Sequence, residues 1–113
     1  MNLANYMISS QSEGSFTLML EGVRRKNLVH GDKTILCKFE LDKGAELPLH
    51  SHPFEQTGYL LAGKMLFSID GNEHEMKAGD SWCIKADVKH GVKVLEDVSL
   101  IELFSPVRDD FLK

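Results

Sequence analysis

The sequence predicts an all-β protein in which short strands form a sandwich or a barrel. Seven short apolar runs alternate with turn-forming residues, at the spacing typical of such folds. No run keeps the 3.6-residue period of an amphipathic helix, so long helices are not expected. The dipeptide Asp70-Gly71 between two runs favours a tight hairpin, because the type I′ turn requires positive φ angles.

The predicted strands follow one another in order along the chain. They cover residues 23–29, 34–41, 56–61, 64–69, 81–84, 90–95 and 99–104. Short segments rich in Gly, Asp and Asn, which favour turns, separate several of them. These segments are Asp42-Lys43-Gly44, Ala62-Gly63, Asp70-Gly71-Asn72, Ala78-Gly79-Asp80 and Glu96-Asp97.

The last predicted strand carries a carboxylate between apolar residues. Residues i and i+2 of a strand share a face, so Leu100, Glu102 and Phe104 lie on one side. Ile101 and Leu103 lie on the other side. Both faces are largely apolar, so we expect a central strand that is covered on both sides. Glu102 then needs a partner, because burying an unpaired charge is costly.

Length and composition indicate one globular domain. The chain has 113 residues, 42% of them hydrophobic, enough for one packed core but not for two. With 13 basic and 17 acidic side chains, the net charge of −4 gives no reason to expect nucleic acid or an anionic membrane as a partner. No segment has the length of a membrane helix or the pattern of a signal peptide, so we expect a cytoplasmic protein. Cys37 and Cys83 are expected to be small, reduced core residues, with a disulfide or a metal site as the alternative.

Residues that bind metals concentrate in the segment 44–56. His50 and His52 are two residues apart, so both imidazoles leave one face of an extended segment and suit one zinc, iron, nickel or copper ion. Ordinary surface or core histidines stay open as the alternative, because about four groups must converge on a metal. Gln56 offers an amide oxygen, and His90 begins another predicted strand. The other histidines lie in or beside turns and are expected to be exposed: His30 and His74.

Two segments resemble the motifs of the cupin superfamily. Residues 44–63 resemble the first motif, G(x)5HxH(x)3,4E(x)6G, with Gln56 at the carboxylate position, and residues 79–91 are similar to the second motif. The resemblance implies a single cupin domain, a double-stranded β-helix or jelly-roll β-barrel, at 22–113 with a C-terminal tail. Residues 1–21 would be an N-terminal extension that adds an edge strand. One divalent transition metal (Zn, Ni, Fe or Mn) would be held by His50, His52, Gln56 and His90.

Three segments resemble more closely the KdgF type of small cupins, which act in pectin and alginate breakdown. They are residues 22–26 (G-V-R-R-K), 50–59 (H-S-H-P-F-E-Q-T-G-Y) and 104–112 (F-S-P-V-R-D-D-F-L). The resemblance implies a homodimeric, metal-dependent enzyme that opens the ring of 4,5-unsaturated uronate monosaccharides, which are small anionic sugar acids. It puts the catalytic positions on Glu102, Phe104 and Arg108. The chain departs from the family where Glu102 replaces an aspartate, Phe54 a frequent histidine and Lys89 a proline.

Each catalytic position has a functional and a structural interpretation. Glu102 would be the acid–base group, or a buried carboxylate paired with an arginine or lysine. Arg108 would bind the substrate carboxylate, or cap the surface tail. Phe104 would form a wall for the sugar ring, or belong to the core. A metal-dependent oxygenase-type small cupin and a non-catalytic cupin that binds a small ligand stay open as alternative functions.

Three other features of the sequence lead to weaker expectations. Trp82 is interpreted as a core or interface residue that nothing ties to a ligand. Phe111 is expected to pack against a second subunit. Arg24-Arg25-Lys26 is expected to be a solvated edge, in which strand alternation could turn Arg24 and Lys26 towards a pocket together.

Overall fold

The structure, a computed structural model, describes residues 5–113. Residues 1–4, where the predicted N-terminal extension begins, lie outside this range. Within residues 5–113, eight strands are followed by a short 3-10 turn at Asp109–Leu112. The strands are β1 (Thr17–Leu20), β2 (Val23–His30), β3 (Ile35–Leu41), β4 (Glu46–His50), β5 (Glu55–Ile69), β6 (Asn72–Lys77), β7 (Ser81–Ile84) and β8 (His90–Ser105). The predicted all-β class is confirmed.

The strands form one antiparallel sheet around two long central strands, β5 and β8. The sheet order is β1-β2-β3-β8-β5-β6, and β4 also pairs with β8 while β7 pairs with β5. Each long strand therefore has different neighbours along its two halves, which closes the sheet into a jelly-roll barrel. Among the described residues no helix has the length and apolarity needed to cross a membrane.

Two pairs of predicted strands are continuous in the structure. Runs 56–61 and 64–69 join as β5, and runs 90–95 and 99–104 join as β8. The intervening turn residues form irregularities in the ladder, with register shifts around Ala62. Gly63 has a φ of +94°, and a Cβ atom there would overlap with the Asp97 carbonyl group. Glycine thus lets the two strands stay paired through a bend, where the sequence suggested that both end.

Strand β6 is absent from the predicted strands because its sequence, N-E-H-E-M-K, has no apolar alternation. Its position follows from the hairpin that precedes it. Asp70 and Gly71 both have positive φ, at 50° and 82°, which confirms the hairpin prediction. The turn joins β5 to β6 in continuous register from Ile69–Asn72 to Lys64–Lys77. A turn signal therefore located a strand that hydrophobic pattern alone does not reveal.

The core consists of apolar side chains that point into the barrel from alternate positions of β2, β3, β5 and β8. Strand β8 is central, since β3 and β5 flank it. Its outer face is only partly covered, however, and Leu103 is 37% exposed. Cys37 is buried as expected, but Cys83 is exposed because its side chain lies on the outer face of β7.

Candidate functional site

A cavity of about 360 Å³ occupies the interior of the barrel. Its walls are mostly apolar, and its polar groups come from the strand ends and from the two long strands. The seven site residues predicted from the sequence all line it: His50, His52, Gln56, His90, Glu102, Phe104 and Arg108. His74 is exposed as expected, whereas His30 is half-buried, because it belongs to β2 and not to a turn.

Three histidines converge at one side of the cavity. His50 ends β4 and His90 begins β8, and the two residues face each other in the strand register. His52 follows just beyond β4. The candidate ligand atoms of the three residues all lie within 4.8 Å of one another. This group could bind one metal ion, for which imidazole nitrogen is a suitable ligand.

The backbone fixes which ring nitrogen each histidine turns towards the others. In all three rings Nδ1 is within hydrogen-bond distance of a nearby carbonyl oxygen. The acceptors are Pro48, Phe54 and Val88, at 2.8, 3.1 and 2.8 Å from His50, His52 and His90 respectively. A carbonyl oxygen only accepts, so Nδ1 carries the hydrogen and Nε2 keeps its lone pair. This is the arrangement by which metal-binding histidines are held in one orientation.

Burial keeps two of these histidines neutral. It lowers the pKa of His90 to about 4, against a weaker opposing effect of the Val88 carbonyl. It also lowers the pKa of His52, and the positive charge of Arg108 adds to that effect. Neutral imidazole is the form that binds a metal. The site therefore presents free nitrogen lone pairs at neutral pH.

Gln56 adds an amide oxygen to this group. Its Nε2 donates a 2.5 Å hydrogen bond to Oε2 of Glu102. Because a carboxylate oxygen accepts, the amide turns its nitrogen to Glu102 and leaves its oxygen free. Oε1 of Gln56 and Nε2 of His52 are both buried without a hydrogen-bond partner among the described residues. Unpartnered buried acceptors are rare, and a cation would satisfy both, so the residues present fit a divalent metal.

Glu102 is a buried carboxylate held through one of its two oxygens. Oε2 accepts from Gln56 and, at 2.9 Å, from the indole Nε1 of Trp82. Oε1 makes no hydrogen bond to any described residue. Burial raises the pKa of Glu102 to about 7, although both hydrogen bonds and the charge of Arg108 oppose that rise. A carboxyl group with this pKa exchanges protons readily near neutral pH.

Trp82 is the site residue that the sequence interpretation missed. Its side chain is 8% exposed and lines the cavity. The available signal was indirect: a buried indole N–H needs an acceptor, and the carboxylate of Glu102 needed a partner. The structural interpretation of Glu102 named an arginine or lysine as that partner. The structure supplies two neutral donors instead, so Glu102 has no ion pair within hydrogen-bond distance among the described residues.

Arg108 lies flat among aromatic rings at the C-terminal side of the cavity. Its guanidinium carbon is 3.8, 4.9 and 5.0 Å from the ring centres of Phe111, Phe54 and Phe104. Nη2 donates to Oδ2 of Asp110 at 2.8 Å, and this hydrogen bond lowers the pKa of Asp110. The guanidinium is thus oriented by stacking and neutralised by an aspartate two residues away.

The C-terminal turn closes this side of the barrel. Phe111 is buried against its own chain, with Arg25 and Arg108 on its ring at 3.8 Å each, so the expectation that it packs against a second subunit is wrong. Arg25 is also the basic residue of β2 that points inward. Arg24 pairs with Asp42 on the outside and Lys26 donates to the carbonyl oxygen of Gln11, so neither turns towards the cavity.

Phe104 serves the core and the cavity together. Its ring contacts Phe39 edge-on with centroids 6.4 Å apart, and it contacts His52 in the same way at 6.0 Å. Phe104 is therefore both a core residue and part of the cavity wall, so both interpretations of this residue apply.

Comparison with known proteins agrees with this architecture. A family model described as the cupin domain matches residues 37–104. The chain is 35% identical over 94 residues to the pectin degradation protein KdgF of Dickeya dadantii (strain 3937), covering 81% of this chain and 86% of that protein. An RmlC-like cupin from Shewanella frigidimarina NCIMB 400 has a TM-score of 0.88 at 30% identity, covering 94% of this chain and 96% of that chain. KdgF from Halomonas sp. has the same TM-score at 28% identity, covering 94% and 98%. The chain therefore belongs to the cupin family, and it is similar to KdgF proteins over most of its length.

Proposed function

We propose that this cupin is a metal-dependent enzyme that opens the ring of 4,5-unsaturated uronate monosaccharides. The observation that carries the proposal is a single cavity in which a histidine and glutamine donor set lies beside the free oxygen of Glu102. The name of the Dickeya relative, a pectin degradation protein, supports a substrate of this class.

The size and charge of the cavity suit one sugar acid. A volume of about 360 Å³ lies at the small end of ligand pockets, which favours a monosaccharide over an oligosaccharide. Arg108 is the only lysine or arginine among the described lining residues. Its planar guanidinium can bind a carboxylate through two parallel hydrogen bonds. We infer that Arg108 exchanges Asp110 for the substrate carboxylate.

The proposed reaction is an isomerisation. The substrate is a cyclic enol ether with a C4=C5 double bond, a carboxylate on C5 and a hemiacetal at C1. The C1 hydroxyl loses its proton, the bond between C1 and the ring oxygen breaks, and C4 gains a proton. The product is an open chain with an aldehyde at C1 and a ketone at C5. When bound, a divalent metal supplies positive charge against which negative charge can develop.

The chain's own residues would move the protons and hold the ring. Oε1 of Glu102 takes the proton from the C1 hydroxyl and returns one to C4, for which a pKa of about 7 suits both directions. Oε2 stays fixed by Gln56 and Trp82. Phe104 forms one wall of the cavity beside Arg108. The histidines and Gln56 are the proposed metal ligands.

The proposal is tested with unsaturated galacturonate and protein loaded with Zn²⁺, Ni²⁺, Fe²⁺ or Mn²⁺. We expect the enol-ether absorbance to decay faster than in the protein-free control. Glu102→Gln should keep its metal and lose about 10²–10⁴-fold in turnover. No acceleration with any of the four metals overturns the substrate assignment. Activity with iron that is lost with zinc would instead favour the oxygenase alternative.

We propose further that the chain forms a homodimer. Among the described strands, edge strand β1 pairs with β2 alone, and it exposes Leu18, Met19 and Leu20 by 68, 41 and 37%. Apolar side chains on a free sheet edge favour association with a second chain. Light scattering at high protein concentration should give twice the chain mass, and a monodisperse monomer would contradict this proposal.

A further inference from the structure

Trp82 occupies a place in the barrel that is shaped for an indole ring. It lies directly opposite Gly58 in the pairing of β5 with β7. A Cβ atom at Gly58 would overlap with the six-membered ring and with Nε1 of Trp82, so only glycine allows the ring to lie across this backbone. Phe67 meets the indole edge-on, with ring centroids 5.3 Å apart. These contacts hold the ring in one orientation.

That orientation aims the indole N–H at one oxygen of Glu102. Nε1 of Trp82 and Nε2 of Gln56 both donate to Oε2, at 2.9 and 2.5 Å. The second donor matters because a carboxylate held by a single hydrogen bond can rotate about its Cγ–Cδ bond. Two donors from different strands that converge on one oxygen fix the plane of the carboxylate, so the other oxygen, Oε1, is left free. The fixed carboxylate in turn holds the amide nitrogen of Gln56. The amide oxygen of Gln56, Oε1, therefore points away from Glu102 and has no hydrogen-bond partner among the described residues.

We propose that Trp82 is a positioning residue of the site. Its N–H fixes the carboxylate of Glu102, which leaves Oε1 of Glu102 available to substrate. Through Glu102 it also fixes the amide of Gln56, so that the amide oxygen faces the metal-binding group. The inference rests on the proposed function in taking Gln56 as a ligand and Glu102 as the acid–base group. Trp82 itself need not touch substrate or metal.

Packing alone explains why a large ring occupies this position. Any ring of that shape fills the space between Gly58 and Phe67. The hydrogen bond is the part that packing does not explain. A decisive experiment therefore removes the N–H and keeps the ring.

The composition of the chain makes this experiment possible. Trp82 is the only tryptophan, so growth on benzothienylalanine, in which sulfur replaces the indole N–H, changes this position alone. The protein that contains benzothienylalanine, here called the labelled protein, and the natural protein are each loaded with Co²⁺. The Co²⁺ dissociation constant and the visible d–d absorption are then measured without substrate. Turnover of unsaturated galacturonate is measured separately.

We expect the labelled protein to bind Co²⁺ about tenfold more weakly, the lower end of the range for outer partners of metal ligands. Its d–d spectrum should differ from that of the natural protein and resemble that of Gln56→Ala. For turnover we expect kcat to fall about tenfold, with KM within about twofold, because the carboxylate is displaced while Arg108 is not. Identical Co²⁺ affinity and spectrum would overturn the proposal, as would a natural protein that binds no Co²⁺.

A pair of glycine variants provides an independent check. Gly58→Ala should displace the indole and reproduce the spectral change, while Gly31→Ala, where a Cβ meets no atom within 4 Å, should leave the spectrum unchanged. Because the Co²⁺ measurements need no substrate, they decide the role of Trp82 even if unsaturated galacturonate is not turned over. Absence of turnover in the natural protein would count against the proposed function alone.

Discussion

The two sides of the cavity are held in place by different kinds of contact. On the histidine side, each ring is fixed by a carbonyl oxygen only two residues away in sequence. On the carboxylate side, Glu102 is fixed by Gln56 and Trp82, which are 46 and 20 residues away. The histidine orientations are therefore local properties of the strand ends. The orientation of Glu102 depends on the mutual register of β5, β7 and β8.

This difference indicates which side tolerates change. A locally held ring keeps its orientation when a distant strand shifts slightly. A carboxylate held from two other strands loses its position when either of them moves, and a displacement of about 1 Å can cost 10²-fold in rate. We therefore expect substitutions to affect the two sides in different ways, and the following experiments separate these effects.

The largest effect is expected on the histidine side, from His90→Ala. This removes one of three convergent nitrogens, and we expect the affinity for Zn²⁺ to fall by more than about 100-fold, beyond the loss typical of an outer partner. Calorimetric titration measures this directly. His74→Ala, on the exposed strand β6, is the matched control and should bind as the unchanged protein does. Unaltered affinity in His90→Ala would show that the three histidines do not form the metal site.

A smaller effect is expected on the carboxylate side, from Glu102→Asp. The shorter side chain withdraws the carboxylate from Trp82 and Gln56 by more than about 1 Å, so we expect kcat to fall about 10²-fold. Zn²⁺ should still bind, but about tenfold more weakly, because the histidines keep their own carbonyl partners while Gln56 loses its anchor. Steady-state kinetics and metal analysis of the same sample test both statements. Full activity in this variant would mean that distant anchoring of Glu102 is unimportant.

Arg108 is an intermediate case, because its partners are close in sequence but lie in the C-terminal turn. Arg108→Lys keeps the charge and loses both the stacking on Phe111 and the planar pair of donors. We expect KM for the unsaturated uronate to rise about tenfold, a loss of about 1.4 kcal/mol in binding, with a smaller change in kcat. Arg24→Lys, on the outer face, is the control. A change in kcat alone would contradict a binding role.

The smallest effect is expected from removal of the metal. If carbonyl oxygens hold the histidines, the barrel does not need an ion for its shape. Cys37 reports on this, because burial raises its thiol pKa to about 12 and so suppresses the reactive thiolate. With excess alkylating agent near neutral pH, we expect only the exposed Cys83 to react, with or without EDTA. Rapid labelling of Cys37 after chelation would show that the metal organises the barrel.

The same contrast between local and distant contacts explains which parts of the site could be predicted from the sequence. The histidines were found from spacing, because two of them share an extended segment and the third begins a strand. The hairpin at Asp70-Gly71 was equally local. The role of Trp82 could not be found in this way, since it arises only where Gly58 of β5 meets β7 and both meet Glu102 of β8.

Two further differences between the predicted and the observed structure also arise from pairing between strands that are distant in sequence. The turn residues at Ala62-Gly63 predicted a strand end, and only the pairing with the Asp97 region shows that β5 passes through. In β2, alternation could place either Arg25 or its neighbours inside. The register opposite Phe39 selects Arg25, and it could not be read from the sequence of one strand.

Because the chain has a single tryptophan, its fluorescence emission reports on the site without a label. Its indole N–H is bonded to Glu102, so any event that moves this carboxylate also changes the electronic surroundings of the ring. Ultraviolet-excited emission of the unmodified protein then reports on this one position, with no background from other tryptophans. Titration with a metal or with candidate sugar acids can be followed by that emission in the same cuvette, which allows ligands to be screened before any turnover assay is developed.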